Sequence, residues 1–482
     1  MIDLRPVGHV IGFLVAALGA SMLVPMMIDL FAGNGHWKVF LNAAAVTGLT
    51  GGVLALATAN LDSSRLTLQQ TFLLTTMVWV MLPLFGAIPF LFSPLDATLT
   101  DALFEAMSGF TTTGSTVFVG LDDMPEGLLM WRSMMQWFGG IGIIIVAMVF
   151  LPELRVGGMQ IFRSEAFDTM GKILPRAAEI ASQISWIYVI LTLVCFVSYL
   201  TVGMTSFEAI NHALTTISTG GFSTTDMSFG AFQGLPEYFA SFFMILASLP
   251  FVRYIQLVAG TAKPIFHDAQ VRAYIAVIAV AVVILAAFQV IADDRHAEES
   301  FREALFNVTS IISGTGYASV DYQLWGTFAM VLFFFIGLIG GCAGSTCCSV
   351  KIFRYQILIS AIWAQVQRVH SPHGMFTPRF EDRRVADEVL SSVMAFFVLF
   401  FVSLGVLSVA LGMTGLDLVT ALSGAATAIG NIGPGLGDTI GPAGNFSTLN
   451  DGAKWLCMAG MLVGRLELMA VYVLFTVAFW RN

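Results

Sequence analysis

Four short segments rich in glycine, threonine and serine carry the chemistry that this chain of 482 residues offers. They contain Gly114, Gly221, Gly316 and Gly433. Each segment ends a longer, moderately apolar stretch, and its glycine lies 13 positions after the first residue of that stretch. Glycine permits backbone angles that aim successive carbonyl oxygens at one axis. A ring of such oxygens can replace the water around a dehydrated alkali cation. The segments therefore predict a cation filter, with close helix packing as the alternative role for these small residues.

The four segments belong to copies of one unit. The copies open at Asp101, Glu208, Glu303 and Thr420, and their aligned glycines lie 107, 95 and 117 residues apart. An identical internal offset in four copies indicates an architectural repeat, rather than the general abundance of small residues in membrane proteins. About eleven helical residues reach roughly 17 Å, about half of the hydrocarbon thickness. Each copy thus predicts a short helix that enters the membrane and turns back as a loop.

Four such loops need a special environment. Non-helical backbone at membrane depth must be buried in protein or line a water-filled cavity, so the loops predict a central aqueous path. The C-terminal end of each short helix carries about half a negative charge, which favours a cation. We interpret Asp101, Glu208 and Glu303 as favourable charges at the helix N-termini and Thr420 as a cap. An ion-binding ring at the mouth is the alternative.

The elements that must position these segments are membrane spans. Hydrophobic residues make up 57% of the chain and charged residues only 11%, whereas soluble domains carry about 25% charge. A span needs about 20 apolar residues. Ten segments meet or nearly meet that condition: Val10–Ile28, Val39–Asn60, Thr71–Ser93, Ser133–Leu151, Ile184–Met204, Tyr238–Ala262, Ala273–Ala292, Thr327–Val350, Ser391–Leu416 and Trp455–Trp480. We predict an all-α integral membrane protein with ten transmembrane helices.

The repeats divide the chain into five parts. We predict two extra N-terminal transmembrane helices over 1–66 and four span, half-helix, filter loop and span repeats over 67–155, 156–265, 266–370 and 371–482. Basic residues stay on the cytoplasmic side of a membrane, and the even-numbered connections hold most of them: Arg65, Arg155, Arg163, Lys172, Arg176, Lys263, Arg272, Lys351, Arg354, Arg368, Arg379, Arg383 and Arg384. Both termini are therefore predicted to be cytoplasmic, and the outer face is acidic.

Charge and composition exclude several other classes of protein. A net charge of −9 gives no support to nucleic-acid binding, which needs clustered Lys and Arg. The five cysteines lie in apolar stretches without paired spacing, so we expect reduced, packed thiols; a metal site at Cys342, Cys347 and Cys348 is the alternative. A membrane-embedded enzyme would need clustered His, Asp or Glu, but the seven histidines are scattered and only His212 falls in a predicted re-entrant helix. The sequence has no phosphate-binding loop motif, so a nucleotide would have to bind a partner.

Two features set the later repeats apart. The closing span of the third repeat has four glycines between 337 and 344, each of which weakens a helix by about 1 kcal/mol relative to alanine. This predicts a broken helix, with close helix packing as the alternative. Arg465 lies within the last span, where a charge costs on the order of 2.5–3.5 kcal/mol, so it must face a cavity or a partner. Glu467 points to another helix face and cannot simply neutralise it; a buried ion pair with another helix is the alternative.

The filter segments resemble those of a known family. Thr-Thr-Gly-Ser at 112–115, Thr-Gly-Gly-Phe-Ser at 219–223, Gly-Thr-Gly-Tyr-Ala at 314–318 and Asn-Ile-Gly-Pro-Gly at 431–435 are similar to the four pore loops of the Trk/Ktr/HKT superfamily of potassium transporters. The two extra spans and the glycine-rich stretch make the Trk-type membrane subunit the closest match. The resemblance implies a single-chain relative of the tetrameric potassium channel, with a pseudo-fourfold pore, that takes up potassium across the bacterial inner membrane. An ion-coupled symporter, driven by protons or sodium on the same scaffold, is the alternative.

The resemblance also implies site residues and partners. Potassium would bind at the filter residues Thr112, Thr113, Gly114, Thr219, Gly220, Gly221, Gly314, Thr315, Gly316, Asn431, Ile432 and Gly433. An intramembrane loop would block the path below them, and the gate would comprise Gly340, Gly341, Cys342, Ala343, Gly344, Ser345, Thr346, Lys351 and Arg465. We interpret Lys351 mainly as a positive-inside anchor, and Cys347 and Cys348 stand where further glycines are expected. The implied partners are potassium as the transported ion, a second copy in a homodimer, membrane lipids and a cytosolic nucleotide-binding regulatory ring of the TrkA type, with no organic cofactor in this chain.

Overall fold

The computed structural model describes residues 3–59, 66–150, 158–159, 177–261, 263–292, 294–381 and 383–481. Five basic residues that support the predicted orientation lie outside these ranges: Arg65, Arg155, Arg163, Lys172 and Arg176. The predicted junction between the first and second repeats, at 155 and 156, also lies outside them.

The N-terminal helices pack closely through small residues. Helices α1 (Arg5–Ser21) and α2 (Leu23–Phe31) form the first span, and α3 (Trp37–Ala57) forms the second. A Cβ atom built on Gly12 would lie 2.5 Å from the backbone nitrogen of Ala55, and one on Gly51 would lie 2.4 Å from that of Ala16. Only glycine allows the two backbones to approach so closely.

The remaining helices follow in four groups. The first group has α4 (Leu68–Gly86), α5 (Ile88–Phe92), α6 (Leu99–Phe110) and α7 (Glu126–Ile145), which continues as a π-helical turn (Val146–Phe150). The second has α8 (Ala177–Thr201), α9 (Ser206–Ile217), α10 (Leu235–Ala247) and α11 (Phe251–Val258). The third has α12 (Lys263–His267), α13 (Ala269–Ala292), α14 (Ala297–Ser313), α15 (Thr327–Gly337) and α16 (Ile352–His370). The fourth has α17 (Asp387–Met413), α18 (Leu418–Gly430), α19 (Asp451–Arg465), α20 (Met469–Tyr472) and α21 (Val477–Arg481).

Strands are confined to two short ladders within the described ranges. Strand β1 (Ile339–Gly340) pairs in parallel with β2 (Val350–Lys351), so that Ile339 lies opposite Val350. Strand β3 (Arg379–Phe380) pairs antiparallel with β4 (Arg383–Arg384). The first ladder closes the base of a nonhelical loop, residues 341–349, between α15 and α16.

The chain is a mostly helical membrane protein, as predicted, but its spans are less regular than ten continuous helices. Within the part of the chain that the structure describes, seven continuous stretches are long and apolar enough to cross a membrane. Two further pairs of helical segments are each bent at a short break. Helix α11 is bent by 90° relative to α10, and the Met469–Phe475 segment is bent by 103° relative to α19. Three of the ten predicted spans are therefore broken: Tyr238–Ala262, Thr327–Val350 and Trp455–Trp480. Pro250 accounts for the first break, because proline lacks the N–H that an α-helix needs and clashes with the preceding turn.

The short helices α6, α9, α14 and α18, which we call the pore helices, form a closed ring with the helices that follow them. Helix α7 packs against α6 and α9, α10 against α9 and α14, α15 against α14 and α18, and α19 against α18 and α6. We call α7, α10, α15 and α19 the closing helices. Each closing helix thus lies between the pore helix of its own group and the pore helix of the next group. The packing continues around the ring without a gap.

Polar caps fix where the first two pore helices begin. The hydroxyl of Thr98 accepts a hydrogen bond from the backbone N–H of Asp101 at 3.1 Å. Thr205 and Glu208 form a capping box at the start of α9. Such caps satisfy helix N–H groups that would otherwise lack partners. They confirm the prediction that Asp101 and Glu208 lie in the first turn.

The other two pore helices differ from the prediction. Helix α14 begins at Ala297, so Glu303 lies in its second turn, where its carboxylate pairs with Arg295 at 2.8 Å. In α18 the cap is Asp417, which accepts hydrogen bonds from the backbone N–H groups of residues 419 and 420. The prediction of Thr420 as the cap is therefore wrong, because an aspartate three positions earlier takes that role.

Candidate cation-conduction site

The four filter segments meet in a closed ring. A Cβ atom built on each aligned glycine would lie between 1.7 and 2.9 Å from a backbone carbonyl oxygen of the neighbouring segment. The glycine and carbonyl pairs are Gly114 with Gly220, Gly221 with Thr315, Gly316 with Ile432, and Gly433 with Thr113. The fourth segment thus returns to the first, and no residue larger than glycine fits at these positions without displacing backbone.

The same backbone conformation recurs in all four segments. The aligned glycines have φ angles of 86°, 81°, 79° and 98°. The residues two positions earlier, Thr112, Thr219, Gly314 and Asn431, have φ angles of 52°, 51°, 75° and 51°. Left-handed conformation is unfavourable for residues with a side chain, so its recurrence in three such residues indicates a constraint. Left-handed residues at alternate positions direct successive carbonyl groups toward one side, as a carbonyl-lined site requires.

The ring lies where the pore helices end. Helices α6, α9, α14 and α18 end at Phe110, Ile217, Ser313 and Gly430, directly before the filter segments. The carbonyl end of a helix carries a partial negative charge that falls off within its last turn. Four such ends close to the ring favour a cation there.

A cavity opens on the other side of the ring. It has a volume of about 170 Å³ and is lined by the four aligned glycines and by residues that follow them, including Ser115, Phe222 and Pro434. The glycines are therefore reachable from this side, which we call the vestibule.

A polar side chain from each pore helix holds the loop that follows its filter segment. Glu105 accepts from the N–H of Val117 at 3.0 Å, His212 bonds the hydroxyl of Ser223 at 3.1 Å, Asn307 donates to that of Ser319 at 3.0 Å, and Ser423 accepts from the N–H of Leu436 at 2.8 Å. Glu105, His212 and Asn307 all precede the aligned glycine by nine residues. That shared offset was a signal in the sequence that our prediction of the site did not use.

Arg132 joins the first filter loop to the second. It forms an ion pair with Glu105 at 2.8 Å, and the two side chains are 1% and 0% exposed. Its guanidinium also donates to the carbonyl oxygen of Ser223 at 2.8 Å and lies 4.2 Å from the ring centre of Phe222. Multiple hydrogen bonds offset the cost of burying such a pair. Our prediction of the site did not include Arg132, because the fourth predicted span begins one residue later, at Ser133.

Gln136 holds the second filter segment on both sides of its aligned glycine. Its side-chain NH₂ donates to the carbonyl oxygen of Gly220 at 2.6 Å, and its side-chain oxygen accepts from the N–H of Phe222 at 3.0 Å. The Gly220 oxygen is also one of the four that contact a neighbouring glycine. Gln136 therefore fixes the position of a group in the ring itself.

The break in the third closing span is present, and loop 341–349 fills it. Its N–H groups donate to carbonyl oxygens at the α10–α11 bend: Cys342 to Ser248 at 3.1 Å and Thr346 to Ala247 at 3.4 Å. In return, the N–H of Phe251 donates to the carbonyl of Gly344 at 2.9 Å. The bend and the loop each leave peptide groups without helical partners. Together they satisfy one another, as buried nonhelical backbone requires.

The loop touches the ring on the side opposite the vestibule. A Cβ atom built on Gly314 would lie 3.2 Å from Cβ of Cys348. The Cys348 sulfur lies 3.7 Å from the hydroxyl of Thr112, and the N–H of Ser349 donates to the carbonyl oxygen of Gly430 at 3.0 Å. Cys348 therefore stands directly beneath the filter segments.

Arg465 contacts the same cysteine. It is the last residue of α19 and is 3% exposed. Its guanidinium donates to the sulfur of Cys348 at 2.6 Å and to the carbonyl of Gly139 at 3.2 Å, and it lies 5.5 Å from the ring centre of Trp79. The structure thus places Arg465 beside the loop and below the filter.

The nearby carboxylate has another partner. Glu467 forms an ion pair with Arg354, at the first turn of α16. Within the residues that the structure describes, no carboxylate lies within ion-pair distance of Arg465. The alternative of a buried ion pair for Arg465 therefore does not match these contacts.

Lys351 is buried at the base of the loop. It is 6% exposed, and its ammonium group donates to the carbonyl oxygen of Cys347. The interpretation of Lys351 mainly as a positive-inside anchor is therefore wrong, because such an anchor would extend toward water. All five cysteines are buried free thiols, as predicted.

The sequence and the fold of the chain both match known membrane transport proteins. Residues 36–481 match the TrkH family, described as a cation transport protein. The chain is 39% identical to the Trk system potassium uptake protein TrkI of Halomonas elongata, over 99% of this chain and 97% of that protein. It is 33% identical to the Trk system potassium uptake protein TrkH of Escherichia coli, over 99% of each chain. The crystal structure of the potassium transporter TrkH from Vibrio parahaemolyticus matches 100% of both chains with a TM-score of 0.92 and 31% identity.

Proposed function

The chain belongs to the TrkH family of cation transport proteins, and from this premise we propose that it takes up potassium ions across the bacterial inner membrane. Membership in a family of transporters confirms the prediction that the chain is not an enzyme. The observation that carries the proposal is the closed ring of glycine and carbonyl contacts among the four filter segments. Carbonyl oxygens gathered about one axis can replace the hydration shell of a monovalent cation.

The filter comprises residues 112–114, 219–221, 314–316 and 431–433. Repeated left-handed positions and the four converging helix ends support this assignment. The closed packing of pore helices and closing helices supports a pseudo-fourfold pore made of the repeats 67–155, 156–265, 266–370 and 371–482. Potassium enters from the vestibule and passes along the axis.

The gate consists of residues 340–346, which are the last residue of β1 and the first part of the loop, with Lys351 and Arg465. Contacts of Cys348 with Thr112, Gly314 and Arg465 support a position directly across the path. The positive charge of Arg465 disfavours a cation leaving the filter, since like charges 4 Å apart repel by about 1–4 kcal/mol between water and a protein surface. Uptake therefore requires the loop and the guanidinium to move aside.

The assembly follows the family resemblance. Both termini face the cytoplasm, two copies form a homodimer, and a cytosolic nucleotide-binding ring of the TrkA type regulates the gate. The exposed basic residues in the last turn of α16 and in the segment that follows it are a suitable docking surface for the ring: Arg368, Arg379, Arg383 and Arg384. Since α16 directly follows the loop, movement of this surface reaches the gate by the shortest connection in the chain.

Potassium flux into proteoliposomes tests the proposal. The purified chain is reconstituted without a regulator, and rubidium tracer uptake is measured while sodium and the proton gradient are varied separately. Uptake that needs only the rubidium or potassium gradient is the expected result. A strict requirement for sodium or protons would favour the symporter, and no flux of any alkali cation in either the unaltered chain or Arg465→Ala would contradict the proposal.

A further inference from the structure

A second cavity lies between the N-terminal helices and the first repeat. It has a volume of about 450 Å³ and is lined by α1, α4, the end of α6 and the C-terminal half of α7. Its walls are largely apolar and include Leu14, Leu18, Val78, Leu82, Phe138 and Ile145. This volume is within the range of about 300–1,000 Å³ that is usual for small-molecule sites.

The two hydroxyl groups in this wall already have partners. The hydroxyl of Ser21 donates to the carbonyl oxygen of Leu18 at 2.7 Å, and that of Thr75 donates to the carbonyl oxygen of Thr71 at 2.8 Å. An ordered water needs two to four polar partners, which this largely apolar wall does not offer, so the cavity favours an apolar occupant. The chemistry of the lining therefore selects hydrocarbon.

The surroundings supply such an occupant. Helices α1, α4 and α7 are spans, so the medium around them is lipid. Leu14 is 38% exposed and Ala17 is exposed at the rim, so the cavity is open sideways toward that lipid. An empty void would leave its lining atoms without dispersion contacts. We propose that this cavity binds one acyl chain of a membrane phospholipid.

The occupant would act on the inner wall. Trp79 lines the cavity, is 4% exposed and lies with its ring centre 5.5 Å from the guanidinium of Arg465. A chain that packs on Trp79 holds the ring against Arg465 and thereby stabilises the closed gate. This consequence for flux rests on the proposed function, whereas binding of the acyl chain does not.

Photolabelling tests the binding. The full chain is reconstituted in phosphatidylethanolamine and phosphatidylglycerol that carry a diazirine in the middle of one acyl chain, and labelled peptides are mapped by mass spectrometry. We expect labels at Leu14, Val78 and Ile145, and their loss in Ala17→Trp, whose ring fills the rim. Gly142→Leu is a second filling variant, because a Cβ there meets only Cζ2 of Trp79 at the ordinary distance of 3.8 Å.

Phe13→Trp is the matched control, since Phe13 is 60% exposed on the same helix and does not line the cavity. Labelling of the cavity residues should be unchanged in this variant. The proposal is overturned if these residues are labelled no more than the lipid-facing Phe13 and Val53, or if neither filling variant reduces their labelling.

Measurements of rubidium flux test the link between the cavity and the gate separately from the proposed potassium uptake. Trp79→Leu should increase rubidium uptake without the regulator, in the same direction as removal of the Arg465 charge. Unchanged uptake in Trp79→Leu would overturn the link to the gate. If neither the unaltered chain nor Arg465→Ala carries an alkali cation, the proposed function fails, while cavity labelling would still establish the lipid site.

Discussion

The filter ring and the region directly beneath it are built in opposite ways. In the ring, four segments repeat the same left-handed positions and the same contact between glycine and carbonyl. Beneath it, the loop comes from the third group alone and Arg465 from the fourth alone. A dehydrated ion needs ligands on all sides, whereas one obstruction is enough to close a path. On the proposed function, symmetry is kept where an ion must be surrounded and is absent where passage only has to be blocked.

Breaking the ring at one of its four equivalent positions should have the largest effect. In Gly316→Ser the new Cβ would lie 1.7 Å from the carbonyl oxygen of Ile432, at a φ angle of 79°. The left-handed conformation alone costs about 1–2 kcal/mol, and with the clash we expect discrimination of potassium over sodium to fall by about 100-fold. Competition of sodium with rubidium uptake measures this ratio.

Gly405→Ser is the matched control for that variant. A Cβ on Gly405, in helix α17, meets no atom within 4 Å. Its selectivity should equal that of the unaltered chain. Unchanged ion competition in Gly316→Ser would contradict the filter assignment.

Removing the charge beneath the ring should leave selectivity intact and change only the rate. We expect Arg465→Ala to raise regulator-free potassium flux by about tenfold, because the variant loses a repulsion of about 1.4 kcal/mol or more. Arg465→Lys retains the charge and should keep the flux low. Equal flux in all three proteins would remove Arg465 from the gate, and altered sodium competition would show that it acts on the filter instead.

A smaller effect is expected where the symmetry of the ring depends on a single side chain. Gln136→Leu removes both hydrogen bonds that flank Gly221. A net loss of about 1 kcal/mol should lower discrimination of potassium over sodium by about fivefold. Gln136→Glu keeps an oxygen for the N–H of Phe222 but loses the donor to Gly220, so rubidium competition should give it an intermediate ratio. Wild-type selectivity in Gln136→Leu would show that the ring holds its geometry without this support.

The smallest effect is expected at the outer end of the first pore helix. Lys454 donates to a carboxylate oxygen of Asp101 at 2.7 Å and joins the fourth group to the first. Partial burial raises the pKa of Asp101, but hydrogen bonds from Lys454 and Thr98 outweigh it, so its pKa lies below the ordinary value. This carboxylate therefore adds stability above its unfolded pKa, and the contribution is lost as the pH falls through the lowered, folded pKa.

Thermal unfolding measures that contribution. We expect Asp101→Asn to lose on the order of 1 kcal/mol at neutral pH, more than a fully exposed pair would, because Lys454 is buried and loses its carboxylate partner. The difference from the unaltered chain should vanish in acid. Ion selectivity should not change, since the pair lies away from the ring. A difference in stability that persists at low pH would show that packing, and not the charge, is responsible.

Local sequence patterns predicted part of the fold and of the site. The remaining features depend on contacts between residues that are far apart in the chain. The fixed offset of 13 residues was sufficient to align Gly114, Gly221, Gly316 and Gly433 before their contacts were known. The glycine cluster also predicted the break after Gly337, because helix propensity is a local property. The partner of that break, the bend at Pro250, could not be inferred, since it lies about ninety residues away and only the packed fold brings it to the loop.

The buried charges show the same limit. Its position inside an apolar span marked Arg465 as unusual. The sequence could not select Cys348 and Gly139 as its neighbours, nor Arg354 as the partner of Glu467. Arg132 escaped attention because it stands at the edge of an apolar run, where charges are common. In α18 we predicted Thr420 as the cap, but Asp417 takes that role. Both residue types are acceptable caps, so the type of residue alone did not reveal the error.

The hydrogen bonds between the loop and the α10–α11 bend have a mechanical consequence. If the loop swings out of the path, the carbonyl oxygens of Ala247 and Ser248 are left bare inside the membrane, at about 1–3 kcal/mol for each. These hydrogen bonds to the second group would then hold the loop in its closed position and favour its return after each opening. A regulator of the proposed gate would need to supply only the free energy that breaks these hydrogen bonds, and closure would need no further input.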